Sequence, residues 1–222
     1  MTQKLYGVLI ADVISSGSRS RLPALLHERL RQATRAHRTH KLTLLPYAVT
    51  AGDEFQTITA RLKTIPWLLL DLRRRLQPLS LRVGIGIGEV AGRITAPVNE
   101  LDGAAFRMAR EALESLGKRS GRKQPALTAF RTHNPEFDSV VNLIYELQDT
   151  LVQRMTQQQW KTIAARFEHG RIEDTARAMG LNISTVSRNL KRGYYGQLIA
   201  AASGVEELIE RYFVALARFR TT

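Results

Sequence analysis

Hydrophobic positions follow two rhythms along this chain. In the first part, short apolar runs alternate with helical stripes; from about Phe137 onward the spacing is helical throughout. Residues 5–11 read as a buried strand, short, apolar and partly β-branched, and 15–20 as a Ser/Gly loop. A helix is expected over 22–37, with Leu22, Leu25, Leu26, Leu30 and Ala33 on one face and Pro23 in its first turn. Strands over 42–50 and 55–60 would join at Gly52-Asp53, a hairpin signal. A helix over 65–76, an alternating strand over 81–87 closed by Gly86 and Gly88, a helix over 103–116 and a strand over 126–130 follow. The βαββαβαβ order suits an α+β sandwich of the ferredoxin-like type, a sheet with helices packed on one face.

The later pattern predicts a domain boundary, with 1–135 as the α+β part and 136–222 as a linker helix and an all-α helix-turn-helix part. The linker helix carries Val140, Val141, Ile144, Leu147 and Leu151 as one apolar stripe. Thr156 should cap a helix over 157–167, which His169-Gly170 would end. A second helix is expected over 172–179, with Ala176 small at the crossing and Gly180 in the turn, where positive φ is required. The reading helix, 184–192, would start at Ser184 as N-cap. Ile183, Val186 and Leu190 would face inward. Ser184, Thr185, Ser187, Arg188, Lys191 and Arg192 form the expected DNA-binding face. Short hydroxyl residues allow close approach to the major groove. Arg188 can be bidentate to guanine or pair with phosphate, and Lys191 and Arg192 suit phosphate contacts. A last amphipathic helix is expected over 205–219, covering the helix-turn-helix core or pairing with a second copy.

Composition narrows the partners. The formal net charge is +13 over 222 residues, and 44% of residues are hydrophobic, so the chain can bury a core and attract polyanions. Double-stranded DNA is the expected partner. No apolar run approaches the ~20 residues of a membrane span, and the N-terminal stretch has no signal-peptide pattern. The absence of cysteine excludes disulfides, thiolate zinc sites and thiol catalysis. A cytoplasmic protein is the simplest expectation. The basic run Lys118–Lys123 would be mobile or bind phosphate. His37 and His40 read as a solvated helix end, and Trp67 and Trp160 as core.

Two acidic motifs carry the candidate chemistry. Val8-Leu9-Ile10-Ala11-Asp12 is an apolar run ending in a carboxylate, and Ala51-Gly52-Asp53-Glu54-Phe55 is a turn with carboxylates at its tip. An unpaired buried charge costs roughly several kcal/mol, so Asp12 is not there for burial. Two carboxylates brought together require a cation between them. Hard oxygen ligands suit Mg²⁺, and Mg²⁺ commonly arrives with phosphates. Asp12 and Asp53 are therefore the candidate metal ligands. The bland alternatives stay open: Asp12 as a cap of the following turn, Asp53 as an ordinary hairpin residue, Arg107 and Arg110 as a solvated helix face.

These motifs, with Arg82-Val83-Gly84-Ile85-Gly86-Ile87-Gly88-Glu89-Val90, resemble the class III nucleotidyl cyclase and diguanylate cyclase superfamily. Together with Asp102-Gly103 and Ala109-Arg110-Glu111-Ala112-Leu113, the chain more closely resembles the SatD family over nearly its whole length. The resemblance implies a cyclase-like fold and a nucleotide or cyclic-nucleotide ligand, with Mg²⁺ as possible cofactor. It places nucleotide contacts at Asp12, Val13, Ile14, Gly52, Asp53, Glu54 and Arg107. It also implies a homodimer whose sites lie at the interface. The superfamily carries an Asn, and four residues later an Arg, on the helix after the glycine; this chain has Arg107 and Glu111 there. Glu111 would repel a triphosphate. The first glycine of the Gly-Gly-Asp-Glu-Phe signature is Ala51. No catalytic residue is assigned, and the pattern favours binding over turnover. The expectation is a nucleotide-responsive bacterial transcription regulator. The alternative is a metal-dependent nucleotidyl cyclase or nucleotidyltransferase with an attached DNA-binding part.

Overall fold

The computed structural model describes residues 4–14, 22–94, 97–118 and 126–215. The expected loop at 15–20, most of the basic run Lys118–Lys123 and the end of the expected 205–219 helix lie outside the described residues.

Five strands form one sheet: β1 (Tyr6–Ile14), β2 (Ala48–Ala51), β3 (Glu54–Thr59), β4 (Ser80–Gly88) and β5 (Thr128–Thr132), in the order β2-β3-β1-β4-β5. The first four strands have the ferredoxin-like order, antiparallel throughout, and β5 adds parallel to β4. β1 lies at the centre, paired with β3 on one side and β4 on the other. β2 is shorter than expected; 42–47 runs as irregular chain, tied to β3 by the Leu44 amide donating to the Ile58 carbonyl.

Helices cover both faces of the sheet, not one. β1 alternates Leu9, Ala11 and Val13 toward one core, Val8 and Ile10 toward the other. On the first face lie α1 (Leu22–Thr39) and α2 (Ile65–Arg75). On the second lies α3 (Ala104–Lys118). The alternate glycines of β4 admit α3 to the sheet. A Cβ at Gly84 would meet the Ala109 carbonyl oxygen at 2.2 Å, and one at Gly86 the Ala105 carbonyl oxygen at 2.1 Å.

α4 (Pro135–Val152) is not a free linker. Phe137, Val141 and Tyr145 pack into the core of the first face, and Tyr145 stacks on Phe130 of β5. The buried face is therefore shifted from the expected stripe: Val140 and Leu147 are exposed. The boundary expected at 135/136 falls at the start of this helix. Beyond it come α5 (Gln157–His169), α6 (Ile172–Met179), α7 (Ile183–Arg192) and α8 (Tyr195–Ile209). A capping box of Thr156 and Gln159 starts α5, Gly170 at φ 73° ends it, and Gly180 at φ 63° turns α6 into α7. Trp160, Ile163, Ala176, Val186, Leu190 and Leu198 form their shared core, which also takes in Leu70 of α2. Val205 and Ile209 of α8 reach back into the core of the sheet's first face. α8 ends earlier than expected and passes into a π-helical turn, Glu210–Ala215.

Two side chains depart from expectation. His37 is buried, not solvated: its ring nitrogens bond the Tyr47 hydroxyl at 2.9 Å and Asp71 at 2.6 Å. Trp160 is core as expected, whereas Trp67 is half-buried and its indole N–H donates to Glu206 at 2.6 Å. No helix among the described residues is long and apolar enough to cross a membrane.

Candidate functional site

Antiparallel registry brings the two acidic motifs together. Asp12 lies across from Arg82 on β4, and Ala11 across from Phe55 on β3, so the next step along β1 sets Asp12 beside Glu54 and the hairpin tip. Arg82 donates to both Asp12 oxygens, at 2.9 and 2.5 Å. Its pKa is raised, first by that hydrogen bond, against some desolvation, and further by the negative charges of Asp12 and Asp53. Both sequence-singled acids therefore act on one guanidinium. Beside it, Arg110 of α3 donates to both oxygens of Glu54, and the Thr50 hydroxyl donates to Glu54 at 2.6 Å. The Arg110 hydrogen bond holds the Glu54 carboxyl below its usual range against a desolvation that would raise it. Asp12 and Glu114 act on Arg110 through space.

The site is thus an acid–guanidinium cluster at the end of the sheet, beneath the last turns of α3. Asp12, Asp53, Glu54 and Glu114 supply four carboxylates, and Arg82 and Arg110 two guanidiniums. Asp12 has its cation already, the Arg82 guanidinium on both its oxygens. This arrangement does not fit a divalent ion as folded. Both Asp12 oxygens are taken by Arg82, and no group of three or more His, Asp or Glu side chains suited to a metal occurs among the described residues.

The other residues expected at the nucleotide scatter. Ile14 is partly exposed at the end of β1, on the Asp12 side of the strand. Val13 points the other way and is buried in the core of the sheet's first face, because successive strand residues alternate. Gly52 is exposed at φ 60° with open space around its Cα, so it serves the turn. Arg107 is exposed and pairs with Asp102 at 3.6 Å, not with the cluster, and Glu111 is exposed beside Arg131 at 3.7 Å. Sequence reasoning left Arg82 and Arg110 out of the site. The signal for Arg82 was its place two residues before Gly84 on the face that meets α3, readable once β1 and β4 are paired.

On α7, Ser184, Ser187, Arg188, Lys191 and Arg192 are exposed and Thr185 is half-buried. Val186 and Leu190 are buried, but Ile183 is 53% exposed. The N-cap is Asn182, two residues earlier than expected, so Ser184 lies inside the helix. Asn189 donates to Thr162 of α5 at 3.3 Å, tying α7 to its neighbour.

The class this fold and its acid-bearing edge define is an α+β protein with a ferredoxin-like sheet and a C-terminal helical layer packed on it. The chain belongs to the SatD family, whose family model matches residues 6–193. A search of curated protein sequences finds no match. Among solved structures, the chain is similar to the dimeric guanylyl cyclase domain of the RhoGC fusion protein from the aquatic fungus Blastocladiella emersonii, at 14% identity and TM-score 0.41, over 51% of this chain and 74% of that one. A bacterial light-regulated adenylyl cyclase matches at 14% identity and TM-score 0.41, over 57% of this chain and 42% of its own. A regulator of polyketide synthase expression from Bifidobacterium adolescentis matches at 13% identity and TM-score 0.28, over 93% and 86%.

Proposed function

We propose that this protein is a transcription regulator that binds double-stranded DNA through a helix-turn-helix formed by α6 and α7 and senses a small ligand through its α+β part. One observation carries the DNA reading. α7 follows α6 across a turn opened by left-handed Gly180, buries Val186 and Leu190, and leaves Ser184, Ser187, Arg188, Lys191 and Arg192 on its open side. That outward face holds no acidic residue, short hydroxyls lie near its start and cations near its end, as a groove-reading helix needs. A homodimer suits this function, since twofold symmetry matches paired half-sites. The test is selection from a random pool of duplexes. The proposal expects enrichment of one sequence; uniform retention of all sequences overturns it.

The ligand of the α+β part is a nucleotide in this reading, held at the cluster of Asp12, Asp53 and Glu54. Arg82 and Arg110 supply its phosphate contacts, as half-exposed guanidiniums within reach of solvent. The acids outnumber them, so a phosphate must exchange with a carboxylate, and the nucleotide binds weakly. Thermal-shift measurements with each nucleotide test this; a shift unchanged in Arg110→Gln overturns it. A catalytic cyclase is favoured only by the nearness of Asp12, through its register on β1, to the hairpin that carries Asp53 and Glu54. Incubation with each nucleoside triphosphate and Mn²⁺ decides it: product formation abolished by Asp53→Ala would replace the sensor by an enzyme.

A further inference from the structure

The acid cluster is not the only polar recess of the molecule. A cleft of two adjoining lobes, about 310 and 320 Å³, opens between the end of α2 and the start of α5, and Gln77, Pro78, Gln157 and Trp160 line both lobes. Its charge balance is opposite to that of the cluster. Arg73 lines the first lobe; Arg29, Arg74, Arg75 and Lys161 line the second. Asp149 answers Arg73, one carboxylate, Asp71, answers both Arg74 and Arg75, and Glu168 is a distant 3.8 Å from Arg74. Five cations thus meet three carboxylates, and two positive charges are left over.

The second observation concerns donors. Arg73 is 3% exposed; its terminal nitrogens donate to Thr128, Asp149 and the Leu81 and Leu127 carbonyls, yet its Nε–H is buried with no acceptor. The Nε–H of Arg29 is buried without an acceptor as well. Buried donors are nearly always satisfied in folded proteins, so Arg29 in the second lobe, with no hydrogen-bond acceptor for its Nε–H, stands beside Lys161 with donor capacity to spare. The N-terminal end of α5 contributes the positive end of its dipole at Gln157.

We propose that this cleft is a binding site for a small phosphate-bearing dianion, held in its second lobe by Arg29 and Lys161 between the α+β core and α5. The site is separate from the acid–guanidinium cluster and does not depend on the nucleotide reading of that edge. α5 packs directly on α6 and α7. An anion bridging Arg29 on α1 to Lys161 on α5 therefore fixes the helical layer against the sheet, the position from which a ligand can bias the reading helix.

Trp160 reports on the cleft, and Trp67 is the only other tryptophan in the chain. In the full-length Trp67→Phe protein, inorganic phosphate and pyrophosphate are titrated against sodium chloride at matched ionic strength while Trp160 emission is followed. The proposal expects a saturable change with either phosphate and none with chloride. It expects that change to weaken at least tenfold in Lys161→Glu, an exposed position whose substitution leaves the core intact, and to vanish in Arg29→Gln/Lys161→Gln. No saturable change at millimolar phosphate, or a change that persists undiminished in Lys161→Glu, overturns the site. If the double variant fails to fold, Lys161→Glu alone decides.

Discussion

Replacing Gly86 by Ala should cost this fold several kcal/mol. The added Cβ would lie 2.1 Å from the Ala105 carbonyl oxygen and 2.6 Å from the Ala109 amide nitrogen, with Met108 Cβ at 3.0 Å. Two of these are backbone atoms of α3, which no rotamer change can move aside. α3 must lift by roughly 1 Å, since ordinary carbon contacts lie at about 3.5 Å. Lifting it loosens its contacts with Val8, Ile10 and Ile58 on the sheet. Overpacking of this kind costs about 1–3 kcal/mol where side chains can yield, and the rigid neighbours here place the expectation at the top of that range or above, about 3–5 kcal/mol. The entropic gain of Gly→Ala offsets at most ~1 kcal/mol of it. Gly117, on the same α3, gives the control: its nearest neighbour is Arg82 Nη1 at 3.6 Å, so Gly117→Ala should stabilise by up to ~1 kcal/mol. Urea denaturation with a common m-value reads both, and thermal melting should separate the two variants by about 10 °C or more. Gly86→Ala within ~1 kcal/mol of the parent protein would refute the account of how α3 is seated.

Three further outcomes are expected. Burial would raise the Asp71 carboxyl, but the His37 hydrogen bond and the Arg74 and Arg75 guanidiniums hold it well below the usual range. Its contribution, about 2 kcal/mol, is present above the unfolded pKa near 4 and lost as pH falls toward the folded one. The stability gap between the parent protein and Asp71→Asn should therefore be full at pH 7 and close below about pH 4; a gap that stays constant down to acid pH contradicts this. Arg82→Ala frees both Asp12 oxygens, so calorimetry should show Mn²⁺ binding in the variant and none in the parent; equal binding in both would mean that Arg82 does not hold the cation position. Thr156→Ala removes the capping box of α5 and should cost about 1 kcal/mol in denaturant unfolding; no change would mean that solvent replaces the cap at no cost.

What the sequence made legible was what periodicity and local chemistry encode. The helix boundaries at Ile65, Ile172 and Met179, the turn glycine at 180 and the capping role of Thr156 could all be read along the chain. The pairing of Asp12 with the hairpin acids came from their motifs and from the family resemblance, not from periodicity. What stayed hidden depended on pairs of distant residues. That Arg82 faces Asp12 requires the register of β1 with β4, and that Arg110 reaches Glu54 requires α3 to lie on the opposite face from α1 and α2. The glycines at 84 and 86 carried no local sign of their role, which is to admit the backbone of α3 to the sheet. His37 is polar and sits within the basic run 35–41, so nothing local marked it for burial between Tyr47 and Asp71. In α4, the Val140–Leu147 stripe lies one helical step from the face that the core takes, and only the position of β5 decides between them.

The reading helix carries the central claim, and the most direct measurement is the affinity of Arg188→Ala for the duplex that the parent protein selects, followed by fluorescence anisotropy at fixed salt. The account predicts a loss of about 1–3 kcal/mol that is confined to the selected sequence, with random duplexes bound as before. Unchanged affinity for the selected duplex, or an equal loss on every sequence, would contradict the placement of Arg188 on the bases.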